Sequence, residues 1–191
     1  MIIVEGTDLV GKTTLCQELV KRLNAPGLSP MGYQYQHFTR LPNGFDHYWS
    51  YVARMSRRIV CDRFHDSDLA YCHARGEGEG ASLLFGLRCQ LVDAKFRLHG
   101  GLKFLVTASH DVIEHRFKER GDDMYKLDVI LAANDWFFKN TFRFDYHLHV
   151  TERNEYPSTS GLVDKFIDEY KKRQETLDYV MHSCRRLDGS L

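Results

Sequence analysis

Nine consecutive residues, Gly6-Thr7-Asp8-Leu9-Val10-Gly11-Lys12-Thr13-Thr14, set two glycines five positions apart and follow the second with a lysine and two hydroxyls. Glycines at that spacing let a short loop curl until successive backbone N–H groups point inward, and such a concave row of donors holds phosphate oxygens. Gly6, Val10, Gly11, Lys12, Thr13 and Thr14 are the residues placed to hold the phosphates of a nucleotide. Lys12 brings a positive charge to the outer phosphates, and the Thr13 hydroxyl suits the shell of a Mg²⁺ ion. Further along, Asp62-Arg63 directly follows the apolar run Ile59-Val60-Cys61. An arginine just past a strand end offers a planar fork that binds phosphate bidentately. Arg116 and Arg120, four apart, share one helical face and can cap a transferring phosphoryl group.

The elements that must carry these residues follow from hydrophobic period. Residues 1–5 read as a short buried strand, and from Lys12 the apolar positions Leu15, Leu19, Val20 and Leu23 turn helical until Asn24-Ala25-Pro26-Gly27. Tyr33–Phe38 is a second strand and Phe45–Met55 a short helix. Ile59–Cys61 is a third strand, and Asp68–His73 opens a helix that the glycine-glutamate stretch 76–80 interrupts. A long helix is predicted from Ala81 to Leu98 with Leu84, Leu87, Leu91 and Val92 inward, closed by Gly100-Gly101. Lys103–Thr107 is a fourth strand, and Ser109 or Asp111 caps a helix running to Glu119. Leu127, Ile130, Leu131 and Phe138 stripe another helix, Tyr146–Val150 is a fifth strand, and Leu162, Phe166 and Tyr170 face inward on the last helix. Strands alternating with helices predict an α/β fold, a five-stranded mainly parallel sheet covered on both faces, as a single domain over residues 1–191. In such a sheet the ligand lies beyond the carboxyl ends of the strands, where the loops after the first three carry the polar candidates.

Gly6-x4-Gly11-Lys12-Thr13 between a strand and a helix has the Walker A spacing of a P-loop. With Glu5 and Asp8 included, it resembles the P-loop of thymidylate kinases and their deoxynucleoside kinase relatives. Val60-Cys61-Asp62-Arg63-Phe64-x-x-Ser67-x-x-Ala70-Tyr71 is similar to the Asp-Arg-Tyr-x-x-Ser-x-x-Ala-Tyr element of that family, and Phe38-Thr39-Arg40-x-Pro42 to its Thr-Arg-Glu-Pro segment. His115-Arg116-Phe117-Lys118-Glu119-Arg120-Gly121 resembles the arginine-bearing lid, placed here around 115–125. The resemblance spans residues 5–121 and implies a thymidylate kinase-like nucleoside monophosphate kinase with a P-loop NTPase fold. It further implies ATP and Mg²⁺ as cofactors, with Thr13 and Asp62 at the metal. Lys12, Asp8, Arg63, Arg116 and Arg120 then carry catalysis. Asp8, Arg40, Arg63, Phe64, Ser67 and Tyr71 bind the acceptor, with dTMP the first candidate, and the assembly is a homodimer.

The departures fall on the acceptor side. Leu41 stands for the glutamate of Thr-Arg-Glu-Pro, and Cys72 stands where a glutamine often follows Ala-Tyr. The segment between Arg40 and Asp62 is short, leaving Tyr48, Trp49 and Arg54 as stand-ins for the usual base contacts. Leu9 and Val10 leave the P-loop without an arginine of its own, so the lid must supply one. Two alternatives remain open: a deoxynucleoside kinase acting on a 5′-hydroxyl, and a non-catalytic nucleotide-binding protein. A hydroxyl acceptor needs a base, and this chain has Thr39-Arg40-Leu41 where such kinases keep a glutamate.

Composition narrows the partners. A formal net charge of zero gives no global field for nucleic acid or an anionic membrane, and the Lys171-Lys172-Arg173 and Arg185-Arg186 runs are too short to make a patch. Five cysteines without a CxxC pair point to free thiols in a reducing compartment. His147-x-His149 is the one tight histidine pair, without a third ligand near it to complete a metal site. Met1-Ile2-Ile3-Val4 leads directly into a strand and no apolar run approaches the length of a membrane span, so the expectation is a cytoplasmic enzyme of small nucleotide substrates.

Overall fold

Ile2-Ile3-Val4 is apolar at every position, and a strand of that kind has to be covered on both faces. It lies at the centre of the sheet. The computed structural model describes residues 1–25, 32–38, 58–76, 79–120, 125–153, 157 and 161–187. In chain order these form β1 (Ile2–Glu5), α1 (Lys12–Leu23), β2 (Gln34–His37), β3 (Ile59–Asp62), α2 (His65–Ala74), α3 (Glu79–Leu98), β4 (Leu102–Ala108), α4 (His110–Arg120), α5 (Leu127–Lys139), a 3₁₀ turn (Thr141–Arg143), β5 (Tyr146–Val150) and α6 (Gly161–Leu187). The expected helix over 45–55, and with it Tyr48, Trp49, Arg54, Thr39, Arg40 and Leu41, lies outside the described residues. No helix among the described residues is long and apolar enough to cross a membrane.

The strands pair in the order β2-β3-β1-β4-β5, all parallel. From β1 the chain crosses to the edge strand β2 and returns to β3, and from β3 it crosses to β4 on the other side of β1, so the connections leaving β1 and β3 run in opposite directions at their carboxyl ends. Side chains alternate across the sheet with period two. Ile2 and Val4 pack with Leu15 and Leu19 of α1 and Phe166 and Tyr170 of α6. Ile3 faces the other way, with Phe38, Cys61, Phe64 and the α3 residues Val92 and Phe96.

Three expectations are corrected here. α3 begins at Glu79, so Glu79-Gly80 is helical where a loop was expected. Its buried face is Cys89, Val92 and Phe96, whereas Leu87 and Leu91 are 51% and 59% exposed. The heptad-like spacing of the leucines marks the outer face of the helix, and the inner one uses a cysteine and an aromatic that the leucine stripe concealed. On α5 the inward aromatic is Phe137, not Phe138, which is half-exposed and packs against the edges of His147 and His149.

One buried ionic cluster sits in the second face. Lys103 of β4, fully buried, directs its ammonium onto Asp66 of α2 and, at 2.9 Å, onto Asp93 of α3. Arg143 closes on Asp66 at 2.8 Å, and His65 lies 3.1 Å from Asp93. Burial opposes charge at Asp93, but His65 and Lys103 outweigh it and hold that carboxyl well below its usual range. Removing one member of such a group leaves its partners charged and dry. Lys103→Ala should lower the unfolding free energy by about 3–5 kcal/mol, measured by urea denaturation; a change under about 1 kcal/mol would show that the carboxylates do not depend on this cation.

Candidate phosphate and acceptor site

β1 ends at Glu5, and the chain turns into the loop at Gly6, whose φ is +142°. A Cβ there would lie 2.1 Å from the Val106 carbonyl oxygen of β4, so the loop is pressed against the sheet as closely as glycine allows. Gly11 has φ +94° and leads into α1, whose free N–H groups and positive dipole end face the loop. Lys12 is buried, and its ammonium donates to the Thr7 carbonyl inside the loop. Val10 is buried, and Thr14 is exposed on the first turn of α1.

Thr13 and Asp62 meet as a metal pair requires. The Thr13 hydroxyl donates to Asp62 Oδ2 at 2.7 Å. Asp62 Oδ1 is buried and has no hydrogen-bond partner among the described residues, as is true of the Thr7 hydroxyl. An all-oxygen donor set with one unpartnered carboxylate oxygen fits Mg²⁺, directly or through water. Two residues that spacing did not single out also reach Asp62 Oδ2: the Tyr35 hydroxyl at 3.0 Å and His37 Nδ1 at 3.3 Å, both from β2. Burial and the Asp62 charge push the Tyr35 phenol up, so it stays a donor. The signal for both was strand register, His37 standing opposite Asp62 in the parallel pair.

Arg63 follows Asp62 with φ +69°, a conformation rare for a residue with a side chain, and its N–H donates to the Val4 carbonyl at 2.9 Å. Its guanidinium pairs with the Asp8 carboxylate. Tyr71 completes the group: its hydroxyl donates to Asp8 Oδ2 at 2.5 Å and accepts the Asp8 N–H at 3.1 Å. The Tyr71 ring stacks on Tyr125, centroids 4.4 Å apart, and Tyr125 is a further residue missed in the sequence. Asp8, Arg63 and Tyr71 are thus assembled. Phe64 and Ser67 are not part of this surface. Phe64 is fully buried against Phe38, and the Ser67 hydroxyl donates to Glu5. Both were expected at the acceptor, and the correction has one cause: the turn after Arg63 folds inward, so the next residues pack the core.

Of the two arginines expected on a lid, Arg116 reaches the loop, donating to the Leu9 carbonyl at 2.9 Å and the Arg153 carbonyl at 3.3 Å. Arg120 is exposed at the end of α4, and residues 121–124 of the lid lie outside the described residues. His147 Nε2 and His149 Nδ1 both bond to the Thr107 hydroxyl, at 2.8 and 2.9 Å. His65, Asp66 and Asp93 also converge, but Lys103 and Arg143 already neutralise those carboxylates.

Residues 2–136, which hold the loop, Asp62-Arg63, Arg116 and Arg120, match the family model described as the AAA domain. The chain belongs to the AAA domain family. No curated protein matches this AAA-domain chain. Among solved structures it is similar to the YorR protein of Bacillus subtilis in complex with phosphorylated GDP, at 18% identity over 95% of this chain and 97% of that one, TM-score 0.58. It is also similar to a deoxyadenosine kinase from M. mycoides with bound dATP, at 14% identity over 87% and 98%, TM-score 0.54. These likenesses agree with a P-loop NTPase fold. Because the loop lies against β4, Gly6→Ala should lower Tm by roughly 5–10 °C in a thermal melt; an unchanged Tm would show that the loop tolerates a Cβ at this contact.

Proposed function

We propose that this protein transfers the γ-phosphoryl group of Mg-ATP to a deoxynucleoside monophosphate, with dTMP as the first candidate. The observation that carries this reading is the Asp8–Arg63–Tyr71 group, set beside a phosphate loop and turned toward it. Phosphoryl transfer is mostly positioning and charge neutralisation. Lys12 and the α1 N-terminus hold the donor phosphates, and Thr13 and Asp62 would hold Mg²⁺, which when bound would supply further charge neutralisation to those phosphates. Arg63 binds the acceptor phosphate, which arrives already anionic and requires no base. Tyr71 and Arg63 keep Asp8 oriented toward the acceptor. Arg116, held at the loop, serves the transferring group from the lid, and Arg40 is a second clamp on the acceptor.

A second reading, a nucleoside 5′-hydroxyl as acceptor, has one observation in its favour. His37, 40% exposed at the end of β2, rests its Nδ1 on the buried Asp62 carboxylate, and an imidazole so supported can take a hydroxyl proton. It precedes Thr39-Arg40-Leu41, the segment in which the sequence lacks the glutamate base of nucleoside kinases. A homodimer is proposed as the assembly, and the cytoplasm as the compartment, consistent with the free thiols Cys16, Cys61, Cys72 and Cys89.

A coupled ADP-release assay over nucleosides and monophosphates decides between the readings. Lys12→Ala should lose most turnover, and Arg63→Ala should raise the KM for the monophosphate by about tenfold or more while that for ATP changes by less than about threefold. Equal effects on both substrates would remove Arg63 from the acceptor. His37→Gln should change monophosphate turnover by less than about threefold; a loss of about 100-fold with a nucleoside acceptor selects the second reading. Stimulation by no acceptor would sink both.

A further inference from the structure

Glu5 has no part in the phosphate chemistry above, yet it is fully buried where β1 becomes the loop. Its Oε1 accepts the Asp66 N–H at 3.1 Å, and its Oε2 accepts the Ser67 hydroxyl at 2.5 Å. Both donors belong to the first turn of α2, where a helix leaves N–H groups without internal partners. α2 has no side-chain cap of its own, because Phe64 occupies the N-cap position and points into the core. An acidic residue from a different element therefore caps this helix. Arg63, in its left-handed conformation, is fastened to β1 on both sides: its own N–H goes to Val4, and the residues after it go to Glu5.

We propose that Glu5 is a positioning residue that fixes Arg63 relative to the phosphate loop by accepting hydrogen bonds from the first turn of α2. The consequence for catalysis rests on the assignment of Arg63 to the acceptor phosphate. Glu5 is covalently joined to Gly6, so one residue ends the strand, begins the donor cradle and pins the acceptor turn. A change in its length displaces the two phosphate sites relative to each other while leaving each intact.

Burial and a neighbouring charge, not these hydrogen bonds, set its protonation. Burial, and next the Asp66 charge, raise the Glu5 carboxyl to about 8, against the opposing pull of Ser67, Lys103 and Lys12. The ionisable groups around it are Lys12 and Cys16 from α1, Cys61 from β3, Asp66 from α2 and Lys103 from β4. An unfolded chain releases this proton near 4.5, so between that pH and about 8 the folded state binds more protons. The Glu5 contribution to stability therefore falls as pH rises through that window. Glutamine, neutral at every pH, keeps the Asp66 N–H bond through its carbonyl oxygen and turns the second bond round, its amide donating to the Ser67 oxygen, whereas aspartate is one methylene too short to reach either.

The test combines kinetics with amide hydrogen exchange on full-length Glu5→Gln, Glu5→Asp and Ser67→Ala. In Glu5→Asp the acceptor KM should rise about tenfold with the ATP KM within about twofold, and Ser67→Ala should shift it the same way by about threefold. Exchange over residues 62–68 should quicken about tenfold in Glu5→Asp, with the amides of residues 6–14 unchanged. Glu5→Gln should match the wild type in both measurements at neutral pH and lose its decline in stability between pH 4.5 and about 8. Equal rises in both KM values, or unaltered exchange over 62–68 in both Glu5→Asp and Ser67→Ala, would overturn the proposal. Should Glu5→Asp fail to fold, Ser67→Ala alone decides. If the wild type turns over no acceptor, the proposed function fails, while the exchange pattern still rules on Glu5.

Discussion

The parallel pairing of β1 with β3 is the constraint on which the site depends. Val4 stands opposite Asp62 in that pairing, so the loop that follows one strand and the turn that follows the other emerge side by side. Nothing in the loop itself could bring Thr13 within 2.7 Å of a carboxylate forty-nine positions away. The register does so, and it places Arg63 beside Asp8 through the same step. β2 extends the arrangement by one strand, adding Tyr35 and His37 to the same carboxylate. The hydrogen bond from Arg63 to Val4 then holds a backbone conformation that the residue would not adopt in isolation.

Two kinds of interior lie on either side of this sheet. On the face of α1 and α6 the contacts are apolar and dispersive, with Leu15, Leu19, Phe166 and Tyr170 against Ile2 and Val4. On the other face, apolar packing around Phe64 and Phe96 adjoins an ionic group in which Lys103 and Asp66 are fully buried, Asp93 and Arg143 mostly so, with His65 beside them. Hydrophobic contact tolerates small displacements, whereas buried ionic groups hold only in a narrow range of geometry. The ionic side is also the side of α2, whose first turn fixes Arg63. The stiffer half of the core supports the group that must be placed most accurately.

What could be read from the sequence follows the same division. The loop was legible because its function is local: glycines, lysine and hydroxyls act at fixed spacing between a strand and a helix. The strands β1, β3 and β4 were legible from short apolar runs, β2 from its aromatic and long side chains and β5 from its alternating pattern, and Asp62-Arg63 from its place at the end of β3. Phe64 and Ser67 look like neighbours of Arg63 in one dimension, but the inward turn after a left-handed residue sends them to the core and to Glu5. Lys103 gave no sign of burial, because a lysine enters a core only when two carboxylates from separate helices meet it there. Leu87 and Leu91 carried the strongest helical stripe in α3 and yet face outward, since periodicity identifies a face without saying which way it points. Tyr125 had no signal at all; its position depends on the stacking partner Tyr71.

The contact between Arg116 and the Leu9 carbonyl reaches further than one hydrogen bond. A trans peptide is planar, so the carbonyl of Leu9 and the N–H of Val10 are two ends of one rigid plate that point in opposite directions. When the guanidinium holds the oxygen toward α4, it turns the Val10 N–H the other way. A side chain 107 positions distant therefore sets the polarity of one peptide plane within the phosphate loop. Leu9, at φ +68°, is the hinge about which that plane would otherwise rotate. The placement of α4 is thus tied, through Arg116, to which way this one peptide plane of the loop faces.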